Sequence, residues 1–262
     1  MSSINSLHSA HKNVNKGVDK AVKGSFSKLL AFDTSTETMF IAVTRVTNER
    51  QQTWQHTAEG GAKTSAALIP AILALLKEAN LTLQELDAIV FGRGPGSFTG
   101  LRTACSVAQG LAFGAGGIQV LPVDTLVAVA EEARFSAGAI QIQAVLDARM
   151  GEVYAASYAY KDDIWHATSG IQLCKPADLQ FEAGFSLAGN CSIGGLKDAN
   201  QDASRIQALP TATAMLRLAP ALLAAGLGVP ADQALPLYVR DKVAQTTAER
   251  SDLKMQALKS AS

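Results

Sequence analysis

The sequence predicts an α/β protein built from two mixed sheets flanked by helices. Apolar runs of strand length alternate with segments of helical period, and after an opening hairpin that alternation occurs twice along the 262 residues. The composition agrees: 48% hydrophobic and 18% charged is ordinary for a globular protein. The length suits one large domain or two modest ones sharing a core.

Taken in order, Leu29-Leu30-Ala31-Phe32 reads as a buried strand ending in the polar turn Asp33-Thr34-Ser35-Thr36. Residues 39–47 alternate apolar and polar like a half-buried strand, with 51–57 as hairpin partner. Thr64 or Ser65 can cap a helix running to about Asn80. Residues 66–76 of that helix contain no polar side chain, so two of its sides need covering, one by its own sheet and one by another domain or chain. Pro70 is placed near its first turn, where a missing N–H costs little. A strand over 86–91, a glycine-rich turn, a helix over 99–115, a strand over 118–123 and a short helix over 126–134 follow. This first half resembles a ribonuclease H-type unit.

The second half repeats the pattern without a sequence repeat of fixed period. Strands are expected over 142–146 and 153–160, with a further one within 162–173. A short helix opens at 176–179, a brief strand covers 185–188, a helix covers 211–227 and a last strand covers 236–239. Beyond Val243 the chain is polar and is expected to fray.

Lys+Arg 23 against Asp+Glu 23 leaves no net charge, which argues against gripping nucleic acid alone; any nucleic acid would have to be held mainly by another subunit. Cys105, Cys174 and Cys191 have no paired spacing, so free thiols in a reducing cytoplasm are expected rather than a disulfide framework or zinc site. The longest apolar stretch, 218–229, is too short for a membrane span and contains Pro220. Residues 1–27 carry His8, His11 and four lysines but no apolar segment, and read as a disordered or weakly helical tail rather than a secretory signal.

The candidate chemistry centres on the loop from Gly92 to Gly100, GRGPGSFTG. Glycines between a buried strand and a helix fit either a phosphate cradle or a strained turn with a Ser or Thr cap. No Lys-Ser/Thr follows the closing glycine, so it is not a P-loop, and its place in the chain is wrong for a dinucleotide fingerprint. In the next helix Ala104, Ala108 and Ala112 share one face with Cys105, Ser106 and Gly110 beside them, which suits close helix approach. Such a face could lie on the sheet; beside the all-apolar 66–76 helix, a helix pair docking another helix pair is the preferred reading. The four histidines, His8, His11, His56 and His166, show no HxxxH or HExxH spacing, and Ser97 has neither a GxSxG setting nor His–Asp support nearby. The expectation is no catalytic and no metal residue. The rivals are an autonomous ATPase or small-molecule kinase using Asp33 and the glycine loop, and a metallopeptidase, which would need stoichiometric metal.

Five segments, LLAFDTSTET (29–38), GRGPGSFTGLR (92–102), AQGLAFGA (108–115), LDARMGEVY (146–154) and PLYVRDKVA (236–244), resemble the TsaB family, also called YeaZ. The resemblance runs from about Lys28 to Ala244. It implies an actin-like, sugar-kinase-type superfold of two ribonuclease H-like domains in tandem, here 28–125 and 126–244, with 245–262 a polar tail. It also implies a non-catalytic dimerisation subunit for N6-threonylcarbamoyladenosine formation in tRNA, which binds and stabilises the catalytic paralogue TsaD and helps recruit the ATPase TsaE. The helices over 64–80 and 99–115 would form the TsaD interface, or a homodimer in isolation, through Leu68, Ile72, Leu75, Leu76, Leu101, Ala104, Cys105, Ala108, Leu111 and Ala112. Thr125 and Val129 occupy the places of TsaD's two metal-binding histidines, and neither can replace an imidazole. Leu187-Ala188-Gly189-Asn190 is a remnant of TsaD's nucleotide signature. Asp147, Gly151 and Glu152 match its Asp-x-x-x-Gly-Glu pattern, and Asp33 its phosphate-proximal acid; they are read as fold-holding remnants rather than ligand contacts. No cofactor is expected to be held tightly by this chain, with ATP or ADP placed at the boundary of the complex.

Overall fold

The computed structural model describes residues 26–47, 50–61, 64–190 and 204–240. The 1–25 part of the N-terminal tail and the polar C-terminal segment lie outside the described residues.

The first sheet has the order β3-β2-β1-β4-β5, from β1 (Lys28–Asp33), β2 (Thr38–Thr47), β3 (Arg50–Glu59), β4 (Ala88–Gly94) and β5 (Gln119–Asp124). β1 runs antiparallel to β2 and parallel to β4, and β4 runs parallel to β5. The central strands are covered on both faces, which is why β1 and β4 read as unbroken apolar runs rather than alternating ones. β3 closes the edge with RQQTWQHTAE, a polar strand that discourages further pairing.

The second sheet repeats this topology. Its order is β11-β10-β6-β7-β8, from β6 (Gln141–Arg149), β7 (Glu152–Lys161), β8 (Ile164–Ala167), β10 (Ser186–Gly189) and β11 (Arg205–Gln207). β6 pairs antiparallel with β7 and parallel with β10, as β1 does with β2 and β4. β9 (Gln172–Cys174) pairs with β7 beyond β8. The expected single strand within 162–173 is therefore two strands: Asp162 and Asp163 turn the chain at positive φ, and Thr168 and Ser169 donate to the Ser157 carbonyl between the two pairings. One other expectation fails. Residues 236–239 form no strand, because Pro236 has no N–H and the segment crosses the sheet end, tied by Leu237 N–H to the Arg93 carbonyl (2.7 Å). β11 has only three residues, too short for a periodic signal.

Among the described residues four α-helices flank the sheets: α1 (Thr64–Glu78), α2 (Phe98–Gly114), α3 (Thr125–Ala137) and α4 (Ala212–Ala224). α1 and α2 cover one face of the first sheet through Leu68, Ile72, Leu75, Leu76, Ala104 and Ala108. α4 covers the other face through Met215, Leu216 and Ala219, although it lies near the chain's C-terminal end. The sequence division at 125/126 is thus crossed by α4, which serves the first sheet. α3 packs on the second sheet through Leu126, Val129, Ala130 and Ala133. Pro70 is the seventh residue of α1, not a first-turn residue. It is tolerated because the carbonyl it leaves unbonded, four residues back at Ala66, belongs to an exposed residue that water can reach.

Candidate docking face and interdomain cleft

Helical geometry separates each of α1 and α2 into two faces. Leu68, Ile72, Leu75 and Leu76 recur at the spacing of one stripe and point at the sheet. Leu101, Ala104, Cys105, Ala108 and Ala112 do the same on α2. All nine are at most 6% exposed, and Leu111 is partly buried against the same core. The expected interface residues are therefore core residues of this chain, and the close approach that the alanine stripe permits is made to β4, not to a partner. The outward faces are different: Ile69 (40% exposed) and Leu73 (48%) on α1, and Arg102, Ser106, Gly110 and Phe113 (82%) on α2. An apolar helix needs a second cover, and among the described residues it has none at Ile69 and Leu73.

The glycine loop packs against the end of β1 and the turn after it at Gly92, Gly96 and Gly100, while Gly96 to Thr99 also line the interdomain cleft. A Cβ at Gly92 would stand 1.8 Å from Asp33 Oδ2, at Gly100 1.9 Å from the Thr34 carbonyl, and at Gly96 2.6 Å from the Ser35 carbonyl. Two hydrogen bonds tie it to the same turn: Ser97 N–H donates to the Ser35 carbonyl (2.8 Å), and Thr34 Oγ1 donates to the Gly100 carbonyl (2.7 Å). Ser97 Oγ accepts from Gly100 N–H and caps α2. Of the two sequence readings, the geometry is that of the capped turn: glycine is required so that two backbones can touch.

Asp33 sits beneath this contact, wholly buried. Oδ1 accepts from Ser35 N–H (2.9 Å) and Ser35 Oγ (2.7 Å), while Oδ2 has no partner. Burial pushes its carboxyl up to about 7 against the two Ser35 hydrogen bonds. A group sealed behind Gly92 does not reach a ligand in the cleft.

The cleft, about 290 Å³, lies between the β1–β2 turn, the start of α2, the β6–β7 turn and residues 237–240. Of the residues matched to nucleotide contacts, Asp147 and Asn190 line it, and Asp33, Gly151 and Glu152 do not. Asp147 is engaged locally, accepting from Arg149 N–H (2.7 Å), while its own N–H donates to Asn190 Oδ1 (3.1 Å). Gly151 (φ 74°) serves the β6–β7 turn, where Arg149 and Met150 also have positive φ. Glu152 pairs with Arg240 (2.6 Å), which also donates to the Ala148 carbonyl (3.1 Å). The structure does not bring Asp33, Asp147, Gly151 and Glu152 together around one ligand. Arg149 bridges to Glu37 across the cleft mouth, so each cation here is already answered by an acid.

Thr125 and Val129 are both fully buried, and Thr125 Oγ1 donates to the Pro95 carbonyl (2.5 Å). Among the described residues no group of three or more His, Cys, Asp or Glu side chains is placed to hold a metal. No helix of the described residues is long and apolar enough to cross a membrane.

Three residues that matter were not singled out from the sequence. Arg102 lies with its guanidinium carbon 3.9 Å from the Phe98 ring centroid, and its Nε donates to the Tyr238 hydroxyl (3.1 Å). The Phe98 and Tyr238 rings are 5.1 Å apart. The i, i+4 spacing of Phe98 and Arg102 was visible; the return of Tyr238 to the same spot was not.

A family model described as TsaD, tRNA N6-adenosine threonylcarbamoyltransferase, matches residues 45–252. The tRNA threonylcarbamoyladenosine biosynthesis protein TsaB of Haemophilus influenzae is 34% identical over 82% of this chain and 94% of its own. TsaB of Escherichia coli is 32% identical over 68% of this chain and 80% of its own. The solved structure of YeaZ from Pseudomonas aeruginosa superposes with a TM-score of 0.73 at 36% identity, covering 81% of this chain and all of its own. Two sheets of matching topology flanked by helices, with these relatives, have the actin-like fold. The chain belongs to the TsaB (YeaZ) family, whose curated relatives are named tRNA threonylcarbamoyladenosine biosynthesis proteins.

Proposed function

We propose that this chain is an accessory subunit in N6-threonylcarbamoyladenosine formation that works by binding. Its α1–α2 face docks and stabilises the catalytic paralogue TsaD, and the pair helps recruit the ATPase TsaE. The observation that carries the reading is the outward face of α1, where Ile69, Pro70 and Leu73 stand exposed on a helix whose other side is fully packed. The same face would pair two copies in isolation, and tRNA would be reached only through the complex. ATP or ADP, where a nucleotide takes part, would sit at the boundary with TsaD. The alternative of an autonomous ATPase or kinase has less support, because Asp33, the acid it would use, is wholly buried and does not line the cleft.

Co-expression with TsaD of the same organism tests the reading. Leu73→Glu should abolish co-purification while leaving a folded chain, since the residue touches solvent and not the core. Undiminished co-elution by that variant would overturn the docking face. Magnesium-dependent ATP turnover by the isolated chain would favour the alternative.

A further inference from the structure

Arg102 is the one charged side chain that the start of α2 presents outward, and it is held in place before any partner arrives. Phe98, one turn earlier, supplies a ring for its guanidinium, and the Tyr238 hydroxyl fixes Nε from the opposite end of the chain. Its two terminal nitrogens have no hydrogen-bond partner among the described residues. A planar fork with one edge tied and the other open is suited to a bidentate carboxylate. The ground beside it is a shallow groove edged by the hydroxyls of Ser65, Thr99, Thr103 and Ser106, of which Thr103 donates to the Thr99 carbonyl (3.0 Å). It contains no anion: α1 has no acidic residue before Glu78, its last, and α2 has none. The docking face thus has an apolar end at Ile69 and Leu73 and a cationic, hydroxyl-lined end at Arg102.

We infer that Arg102 is the orientation-determining contact of the docking face, taking an Asp or Glu carboxylate from the docked partner protein. This rests on the docking reading above. An apolar face alone would tolerate several rotations of the partner, whereas one preorganised ion pair at its end fixes a single one. The occupant at this point is a different protein rather than a second copy: the single acidic side chain of α1 and α2 is Glu78, at the end of α1 away from Ser65 and Arg102, so two copies meeting like end to like end offer Arg102 no carboxylate. Phe98 and Tyr238 also line the cleft, so the contact holds residues 237–240 and the start of α2 in one arrangement.

The test is a binding titration of the full-length chain against TsaD of the same organism, at two salt concentrations, with self-association measured alongside. Arg102→Ala should weaken TsaD binding by at least about 30-fold and flatten its salt dependence, with self-association unchanged. Arg102→Lys should recover only part of the loss, because the charge returns without the fork. Tyr238→Phe, which keeps the ring and loses the hydroxyl, should cost about 3-fold. If Leu73→Glu abolishes binding while Arg102→Ala stays within about twofold of wild type, the docking face stands and the role of Arg102 is overturned. If Leu73→Glu leaves binding intact, the docking reading itself has failed. An equal loss of self-association in Arg102→Ala would assign the contact to a second copy and overturn the choice of partner.

Discussion

Asp33 was legible as a strand-end acid but not as a sealed one, because burial there is made by Gly92, 59 positions later in the chain, lying against its Oδ2. The consequence is a defined pH dependence. Its folded carboxyl titrates at about 7 against an ordinary 3.8, so the folded state holds a proton that the unfolded state has released. Stability from this group is fully present below about pH 4 and is lost as pH rises through 7. Asp33→Asn keeps the acceptor for Ser35 and removes the charge, so its stability relative to wild type should rise with pH, by up to about 4 kcal/mol between pH 4 and pH 8. Urea unfolding at both pH values measures it; parallel curves would mean that Oδ2 is solvated. Gly100 makes the matching point for backbone contact. Gly100→Ala drives a Cβ into the Thr34 carbonyl, and should cost about 3 kcal/mol or more in the same assay. The motif's glycines were visible in the sequence; that they face another loop rather than a phosphate was not, since both uses ask for the same residue.

At the scale of elements, helix positions were legible and helix faces were not. An amphipathic helix declares its inner side by pattern, but 66–76 is apolar throughout, so no pattern distinguishes Leu73 from Ile72. Only the sheet decides, burying Ile72 fully and leaving Leu73 48% exposed. The α2 alanine stripe misled for a related reason: small residues signal close approach but not what approaches. The two adjacent positions give a clean experiment. Ile72→Glu places an unpaired charge in the core and should destabilise the chain by several kcal/mol, whereas Leu73→Glu should shift its stability by less than about 1 kcal/mol. Circular dichroism melts of the two variants check this without any partner. Gly110 belongs to the outward face, and an added Cβ there meets nothing within 4 Å. Gly110→Ala should therefore stabilise α2 by about 0.5–1 kcal/mol, read as a higher melting temperature.

For the molecule as a whole, the doubled topology was legible as a repeated alternation of strands and helices, while the join between the halves was not. That join is a buried polar hub. Glu131 on α3, 2% exposed, accepts from Arg134 (2.9 Å), from Arg217 on α4 (2.9 Å) and from Trp165 Nε1 on β8 (3.0 Å). Glu132 adds Arg217 (2.7 Å) and Thr211 (2.6 Å). No local pattern marks these residues as partners, because the groups meet over sequence separations of 34 and 86 residues. α4 packs on the first sheet and α3 on the second, so one carboxylate ties the two units together. Burial pushes the Glu131 carboxyl up, but the Arg134 and Trp165 hydrogen bonds and the charges of Arg134 and Arg217 outweigh it and hold the group below its ordinary value. Its contribution is therefore present above about pH 4.5 and lost as pH falls through the lower folded value. Glu131→Ala leaves Arg217 with a buried side short of its acid, and should cost about 3–5 kcal/mol at neutral pH. Because the hub is where the halves meet, calorimetry should also show the single unfolding transition broadening or splitting in two. A sharp single transition at a merely lower temperature would place the coupling in the apolar contacts of α3 and α4 instead.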